Sequence, residues 1–369
     1  MSARPSRRAV MLGALAAPAL IRPARAQEVS ATDVLGRKVT LPAPARRIVL
    51  GQGRQINALG LIHPDPVSIL AGWGSDYRRQ SPDTFARYRQ RFPAIETLPF
   101  VGDGATAGGF SFEQALALAP DLMVLSRSLA GTRNGPGDLV ERFEAAGIPV
   151  AVIDFFLDPL KDTLPSLTLL GSLTGREEQT QRLLAFYEGR MRGVAARIAG
   201  APAPGVFIHA HAGGAECCMS PGRGTLDDFI TAAGGRNIAS GLLPGATGQI
   251  SLEQLIVSDP QVYVATGGTH MAKQGGLVLG LGVDRATAEE SFRRLLARPG
   301  IATLKAVSER RAYGLWHLFN DTPLHVVAIE RLAKWLHPER FADIDPAATM
   351  AEAAAFSAIP LDGTLWIEA

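Results

Sequence analysis

The chain repeats itself, and that repeat limits what it can fold into more than any other feature. The stretch 110–125 reads Phe110-Ser111-Phe112-Glu113-Gln114, an apolar run to Pro120, then Asp121-Leu122-Met123-Val124-Leu125. The stretch 250–265 reads Ile250-Ser251-Leu252-Glu253-Gln254, then Pro260 and Gln261-Val262-Tyr263-Val264-Ala265. Ser, Glu, Gln, Pro and Val recur at a constant offset of 140 residues with no gap. A gapless echo over this distance points to a chain with two similar lobes.

Each copy carries the signal for a short helix followed by a strand. Ser111 and Ser251 are placed to accept the backbone N–H three residues on, and Gln114 and Gln254 to reach back, which is a capping box. Pro120 and Pro260 stop the helix, and an apolar β-rich run follows. Glu113 and Glu253 fall in the first helical turn, where the helix dipole favours an anion. That alone accounts for both glutamates; the alternative is that the two lobes show equivalent carboxylates to one partner.

The chain has 369 residues, enough for two domains with full cores. Its beginning differs from the rest. Arg4, Arg7 and Arg8 precede an uncharged apolar run, and Ala24-Arg25-Ala26 offers a cleavage site. The stretch 1–26 is thus expected to be an export signal, with Arg7-Arg8 resembling the twin-arginine type and a general secretory signal as the alternative. Its five arginines have no acidic counterpart, so the formal charge of +2 becomes −3 without them. The basicity belongs to the signal, and no nucleic-acid role is supported. No later run is long and apolar enough to span a bilayer. Periplasmic localisation is the expectation.

Along the mature chain, strands alternate with helices. Strands are expected at 47–50, 67–71, 122–125 and 149–153, then at 206–208, 262–265 and 311–315. Helices are expected between them, including 84–91, 138–146, 225–233, 291–297 and 323–336. This is an α/β pattern of two Rossmann-like lobes with mostly parallel sheets. A helical pair, 160–173 and 177–198, interrupts it, and the second helix is about 30 Å long, enough to join two lobes. The expected division is 27–158 for the first lobe, 159–200 for the helical linker and 201–369 for the second lobe.

In order and spacing, several motifs resemble the periplasmic solute-binding proteins of ATP-driven (ABC) importers for ferric siderophores, haem and cobalamin. They are Thr32-Asp33-Val34-Leu35-Gly36-Arg37 with Arg47-Ile48-Val49, Glu113 through Pro120-Asp121-Leu122, Leu173-Thr174-Gly175-Arg176-Glu177, and Glu253 through Pro260. The resemblance implies two lobes joined by one rigid helix, a ligand held between them, and no catalysis. It also implies that Glu113 and Glu253, which match the family's glutamates at the first helical turn of each lobe, dock onto arginines of an inner-membrane permease.

In open α/β sheets, ligands bind beyond the carboxyl ends of the strands. The candidates there are Arg54, Trp73, Tyr77, Arg78 and Arg127 in the first lobe, and His209, His211, Arg223, His270, Trp316 and His317 in the second. Arginines and aromatics facing one cleft suit an anionic, partly apolar ligand, such as a ferric catecholate or carboxylate chelate. His209 and His211 alternate along a strand and should share a face. The expected cargo is an iron chelate, a ferric siderophore first, with haem, cobalamin or a bare metal ion as alternatives. No cofactor or resident metal is called for, and a monomer is expected. A different class, a chelatase of related bilobal fold using His209, His211 or His270, is disfavoured by the export signal. No G-x-S-x-G or H-E-x-x-H appears to support a hydrolase. Gly51-Gln52-Gly53 is a poor dinucleotide fingerprint, because Ile56 stands where its last glycine belongs. The adjacent Cys217 and Cys218 lack zinc-site spacing, leaving a vicinal disulfide or a pair of small buried side chains.

Overall fold

The computed structural model describes residues 28–104, 109–131, 138–214, 217–243, 245 and 247–369. The expected export signal, 1–26, lies outside them. No helix among the described residues is long and apolar enough to cross a membrane.

Two α/β lobes are joined by a long helix. The first is built on a four-stranded parallel sheet ordered Leu70–Trp73, Ile48–Leu50, Leu122–Ser126, Val150–Ile153. Nearly every residue of these strands is buried, because helices and loops cover both faces. The hairpin Val29–Thr32 with Lys38–Leu41 precedes the sheet. Its turn is fixed by Asp33, whose carboxylate accepts the N–H groups of Leu35 and Arg37, each at 3.0 Å. The second lobe has five strands ordered Trp366–Glu368, Ala312–Trp316, Val262–Gly267, Gly205–His209, Arg236–Asn237. All neighbours are parallel except the edge strand Trp366–Glu368.

The repeat survives in three dimensions. Ser111 and Ser251 cap the helices Phe112–Ala117 and Leu252–Ser258, accepting the N–H of Gln114 at 3.3 Å and of Gln254 at 3.1 Å. The reciprocal half of the box does not form at Ser111. Its N–H already bonds the Val101 carbonyl at 2.9 Å. Ala119 and Asp259 both take positive φ, 44° and 37°, at the same 140-residue offset. Each directly precedes a proline, which bars the ordinary helical conformation from the residue before it.

The helix Pro159–Thr174 ends at Gly175 in the left-handed region, φ 66°. The 22-residue helix Glu177–Ile198 follows and spans about 33 Å. Tyr187 on this helix meets His325 Nε2 at 2.7 Å, tying it to the helix His325–Leu336. The C-terminal tail crosses back to the first lobe, where Ala358 N–H donates to the Gly60 carbonyl at 2.8 Å. Asp83 accepts the Leu281 N–H at 3.0 Å, and Arg87 pairs with Asp362 at 2.6 Å.

Two expected elements shift. Residues 66–69 form a 3₁₀ turn rather than the start of a strand, because Pro66 opens it and Asp65 caps it through the Ser68 N–H. The helix expected at 291–297 starts at Arg285, since Asp284 caps it by accepting the Thr287 N–H at 2.8 Å.

Candidate functional site

A cavity of about 320 Å³ lies between the lobes, past the carboxyl ends of both sheets. The first lobe lines it with Arg54, Gln80, Ser81 and Phe156. The second contributes His211, His270, His317, Met219, Thr225, Asn320 and Asp321, among others. Of the candidates read from sequence, the cavity brings together Arg54, His211, His270 and His317.

The three histidines form one cluster. His211 Nδ1 and His270 Nε2 are 3.1 Å apart. The rings of His211 and His317 lie with centroids 3.8 Å apart. Thr266 at the end of its strand organises them: its hydroxyl accepts the His211 backbone N–H at 3.2 Å and meets His317 Nδ1 at 2.8 Å. His270 comes close because Gly268 has no side chain; a Cβ there would stand 2.8 Å from the His270 ring. Burial pushes the His211 imidazole down to about 4, aided by His270. Burial also lowers His270, and lowers His317 far below the ordinary histidine range. All three rings are therefore neutral near pH 7; at the 3.1 Å His211–His270 contact one ring donates its N–H to the other's lone pair, so a metal bound there would take the place of that proton. Two nitrogens bound cis at about 2.1 Å from one metal stand about 3.0 Å apart, the spacing His211 and His270 already have.

Arg54 is not a free cation. Its Nη1 is 2.6 Å from an Asp321 carboxylate oxygen. Burial raises the Asp321 carboxyl while Arg54 lowers it. Here the expectation of a positively charged cleft needs correction, because the other arginines are also engaged or lie elsewhere. Arg127 is buried and pairs with Asp158 at 2.5 Å and Asp162 at 2.7 Å. Arg78 lies against the Phe85 and Phe100 rings, 4.8 Å from each centroid. Arg223 is exposed and does not line the cavity.

The aromatic candidates are also displaced. Trp73 is fully buried among Tyr77, Phe85 and Phe100, a core residue instead of a cleft residue. Tyr77 is equally buried, its hydroxyl 2.6 Å from Asn57 Oδ1. Trp316 is buried beside Phe319 and does not line the cavity. His209 and His211 do not alternate along one strand. The strand ends at His209, and His211 sits in a turn with φ 48°. His209 is buried with Nδ1 2.7 Å from the Tyr263 hydroxyl, and it lines a neighbouring cavity of about 230 Å³ that shares His211 and Met219 with the inter-lobe one. Cys217 and Cys218 are joined as a disulfide, with Cys218 buried.

Phe156, Met219, Asn320 and Asp321 were missed. Phe156 follows the strand Val150–Ile153 by three residues, so the strand-end rule could have found it. Asp321 carried no local signal. It takes φ 79°, set by the packing of its loop.

Glu113 and Glu253 are exposed at the starts of their helices. Glu113 pairs with Arg142 at 3.4 Å. Glu253 is held by its own backbone N–H and the Ser251 hydroxyl, which lower its carboxyl.

Residues 61–316 match the sequence pattern of the periplasmic binding protein family. The chain belongs to that family. Members deliver small ligands to ABC permeases, and the ligands include metal ions, haem, molybdate and siderophore-type chelates. Among solved structures, this periplasmic binding protein is similar to the TroA-like periplasmic binding protein FepB from Veillonella parvula. The two are 25% identical with a TM-score of 0.82, over 92% of this chain and 99% of that one. It shares its fold with the molybdate periplasmic binding protein MolA from Haemophilus influenzae, at 18% identity and TM-score 0.67, over 90% and 98% of the chains. It shares it also with a periplasmic heme binding protein from Pseudomonas aeruginosa, at 23% identity and TM-score 0.54, over 80% and 94%. No curated protein sequence matches the chain.

Proposed function

We propose that this binding protein works in the periplasm, takes up an iron chelate between its lobes and hands it to an inner-membrane ABC permease. The lobes are 27–158 and 201–369, with 159–200 as the rigid linker. The cargo is a ferric siderophore whose chelator leaves two cis coordination positions open, and His211 and His270 fill them. The His211–His270 spacing of 3.1 Å carries this reading. Imidazole is a good ligand for iron, and these rings are held neutral by burial.

Two further features support it. The cavity of about 320 Å³ is at the small end for ligand sites, which favours a compact chelate over a tetrapyrrole. Ser81 Oγ and Asn320 Oδ1 are buried at its wall with no hydrogen-bond partner among the described residues, leaving polar groups for a chelator's oxygens. Glu113 and Glu253 are the docking points for the permease.

The test is a titration of purified protein with ferric complexes of a tetradentate and a hexadentate catecholate. Tight binding of the tetradentate complex, with a shift of its charge-transfer band, is expected. His211→Ala and His270→Ala should each weaken it by roughly ten- to a hundredfold. Equal affinity for both complexes, unaffected by either substitution, would sink the reading.

A further inference from the structure

A second group of metal-binding side chains lies beside the histidine cluster and shares no ligand residue with it. One nitrogen of His209 and the sulfurs of Cys217 and Cys218 lie within 4.8 Å of one another. They come from two segments, the end of the strand Gly205–His209 and the loop before the strand Met219–Pro221, so sequence spacing could not reveal them.

Both segments are firmly held. Cys218 exchanges two backbone hydrogen bonds with Ile250, both 3.0 Å. The Cys217 carbonyl accepts from Gln249 Nε2 at 3.1 Å. His209 Nδ1 lies 2.7 Å from the Tyr263 hydroxyl, which fixes the ring. An outer partner of this kind is the usual companion of a metal-binding histidine.

The neighbourhood is soft in chemical character. The adjoining cavity of about 230 Å³ is lined by His209 together with the thioethers Met219 and Met271. It gives an ion a route inward, since Met219 is exposed and Cys217 half-buried. Arg298 donates to the carbonyls of Gly213 at 3.0 Å and Gly275 at 3.1 Å, and its charge is near enough to His209 to help keep that imidazole neutral. Thiolate and thioether donors select Cu(I), whereas a structural zinc ion asks for four ligands.

We propose that Cys217, Cys218 and His209 form a redox-gated site for one Cu(I) ion, closed as the disulfide and open as the dithiol. Opening requires a thiol reductant. Two of its thiols supply two electrons and two protons, the Cys217–Cys218 bond breaks, two S–H bonds form, and the reductant leaves as its own disulfide. Cu(I) then displaces both thiol protons to solvent and binds two thiolates and the His209 imidazole. No change in copper oxidation state is involved.

The experiment compares oxidised and reduced full-length mature protein. Reduction uses a water-soluble phosphine, which becomes its oxide as one water supplies the oxygen and the two protons; the phosphine is then removed under argon. Cu(I) is offered as its bathocuproine disulfonate complex, and loss of that complex's colour reports transfer. The reduced chain should take one copper and the oxidised chain none. Cys217→Ser, at a half-buried position, should abolish uptake, and His209→Gln should weaken it about tenfold or more. The oxidised wild type serves as the folded control. Equal uptake by the oxidised chain overturns the proposal. So does undiminished uptake by Cys217→Ser, or a reduced chain that takes no copper while both thiols alkylate.

Discussion

Arg54 reaches across the cleft to Asp321, Nη1 to carboxylate oxygen 2.6 Å, so the one lysine or arginine lining the cavity among the described residues is neutralised. The side chains are only 20% and 13% exposed, so the pair is weakly screened. A ligand carboxylate or catecholate that takes Arg54 must first displace Asp321.

Asp321→Asn should therefore favour anionic cargo. The amide keeps the shape of the side chain and removes the competing charge. A charge-assisted hydrogen bond is worth about 1.5–3 kcal/mol, so affinity for an anionic ferric chelate should rise roughly tenfold or more. Affinity for a neutral chelate should stay the same. Calorimetric titration of both separates the cases, and an equal change in both would show that Asp321 acts through packing alone.

The buried histidines predict a pH dependence of stability. Burial pushes His209 and His211 down to about 4 and His325 to about 3. In the unfolded chain each titrates near 6.5. Between about pH 4 and 6.5 the unfolded state thus binds more protons, and these groups make stability rise with pH; above that window their contribution is level. Buried Asp76, Asp83 and Asp321, raised by desolvation, act in the opposite sense at the acid end. The difference between wild type and His209→Gln isolates one histidine. Urea midpoints measured at steps across this range should give the variant a shallower acid slope, by up to about 1.4 kcal/mol per pH unit. Parallel slopes would mean that His209 is protonated in the folded state.

Much of the site could be read from strand ends, and the exceptions have physical causes. Arg54, His211, His270 and His317 all lie within four residues of the end of a parallel strand, so the sheet carries them to the cleft. Trp73 also ends a strand, yet Gly74 lets the next loop fold tightly beneath: a Cβ there would stand 2.7 Å from the Gly51 carbonyl oxygen. The indole is thereby turned into the core. Asp321 and Asn320 lie in a loop whose course depends on long-range packing. The edge strand Trp366–Glu368 pairs with Ala312–Trp316, some fifty residues earlier, and its own sequence gives no sign of that partner. Trp73→Ala tests this distinction. It should cost about 3–5 kcal/mol of stability, as for other large aromatic truncations, while the folded fraction keeps its ligand affinity. A selective loss of affinity at unchanged stability would return Trp73 to the cleft.

The last prediction rests on an asymmetry between the duplicated glutamates. Each opens a short helix, and each has an exposed apolar residue three positions on, Leu116 and Ile256. Their electrostatic settings differ. Glu113 lies 3.4 Å from Arg142, whose guanidinium also stacks 4.1 Å over the Phe112 ring. Glu253 has no lysine or arginine partner among the described residues, and bonds only its own cap. If both dock onto permease arginines, Arg142 competes with the permease at the first lobe and nothing comparable competes at the second. Glu253→Ala should then reduce importer-dependent uptake more than Glu113→Ala, and the double substitution should reduce it most. Arg142→Ala should strengthen docking through Glu113 and partly compensate for Glu253→Ala. Ligand affinity should not change in the two single glutamate variants or the double one, and their melting temperatures should stay nearly the same, since both carboxylates are exposed. Uptake at the wild-type rate in the double variant, with the protein at normal abundance, would leave both glutamates as helix-start residues and nothing more.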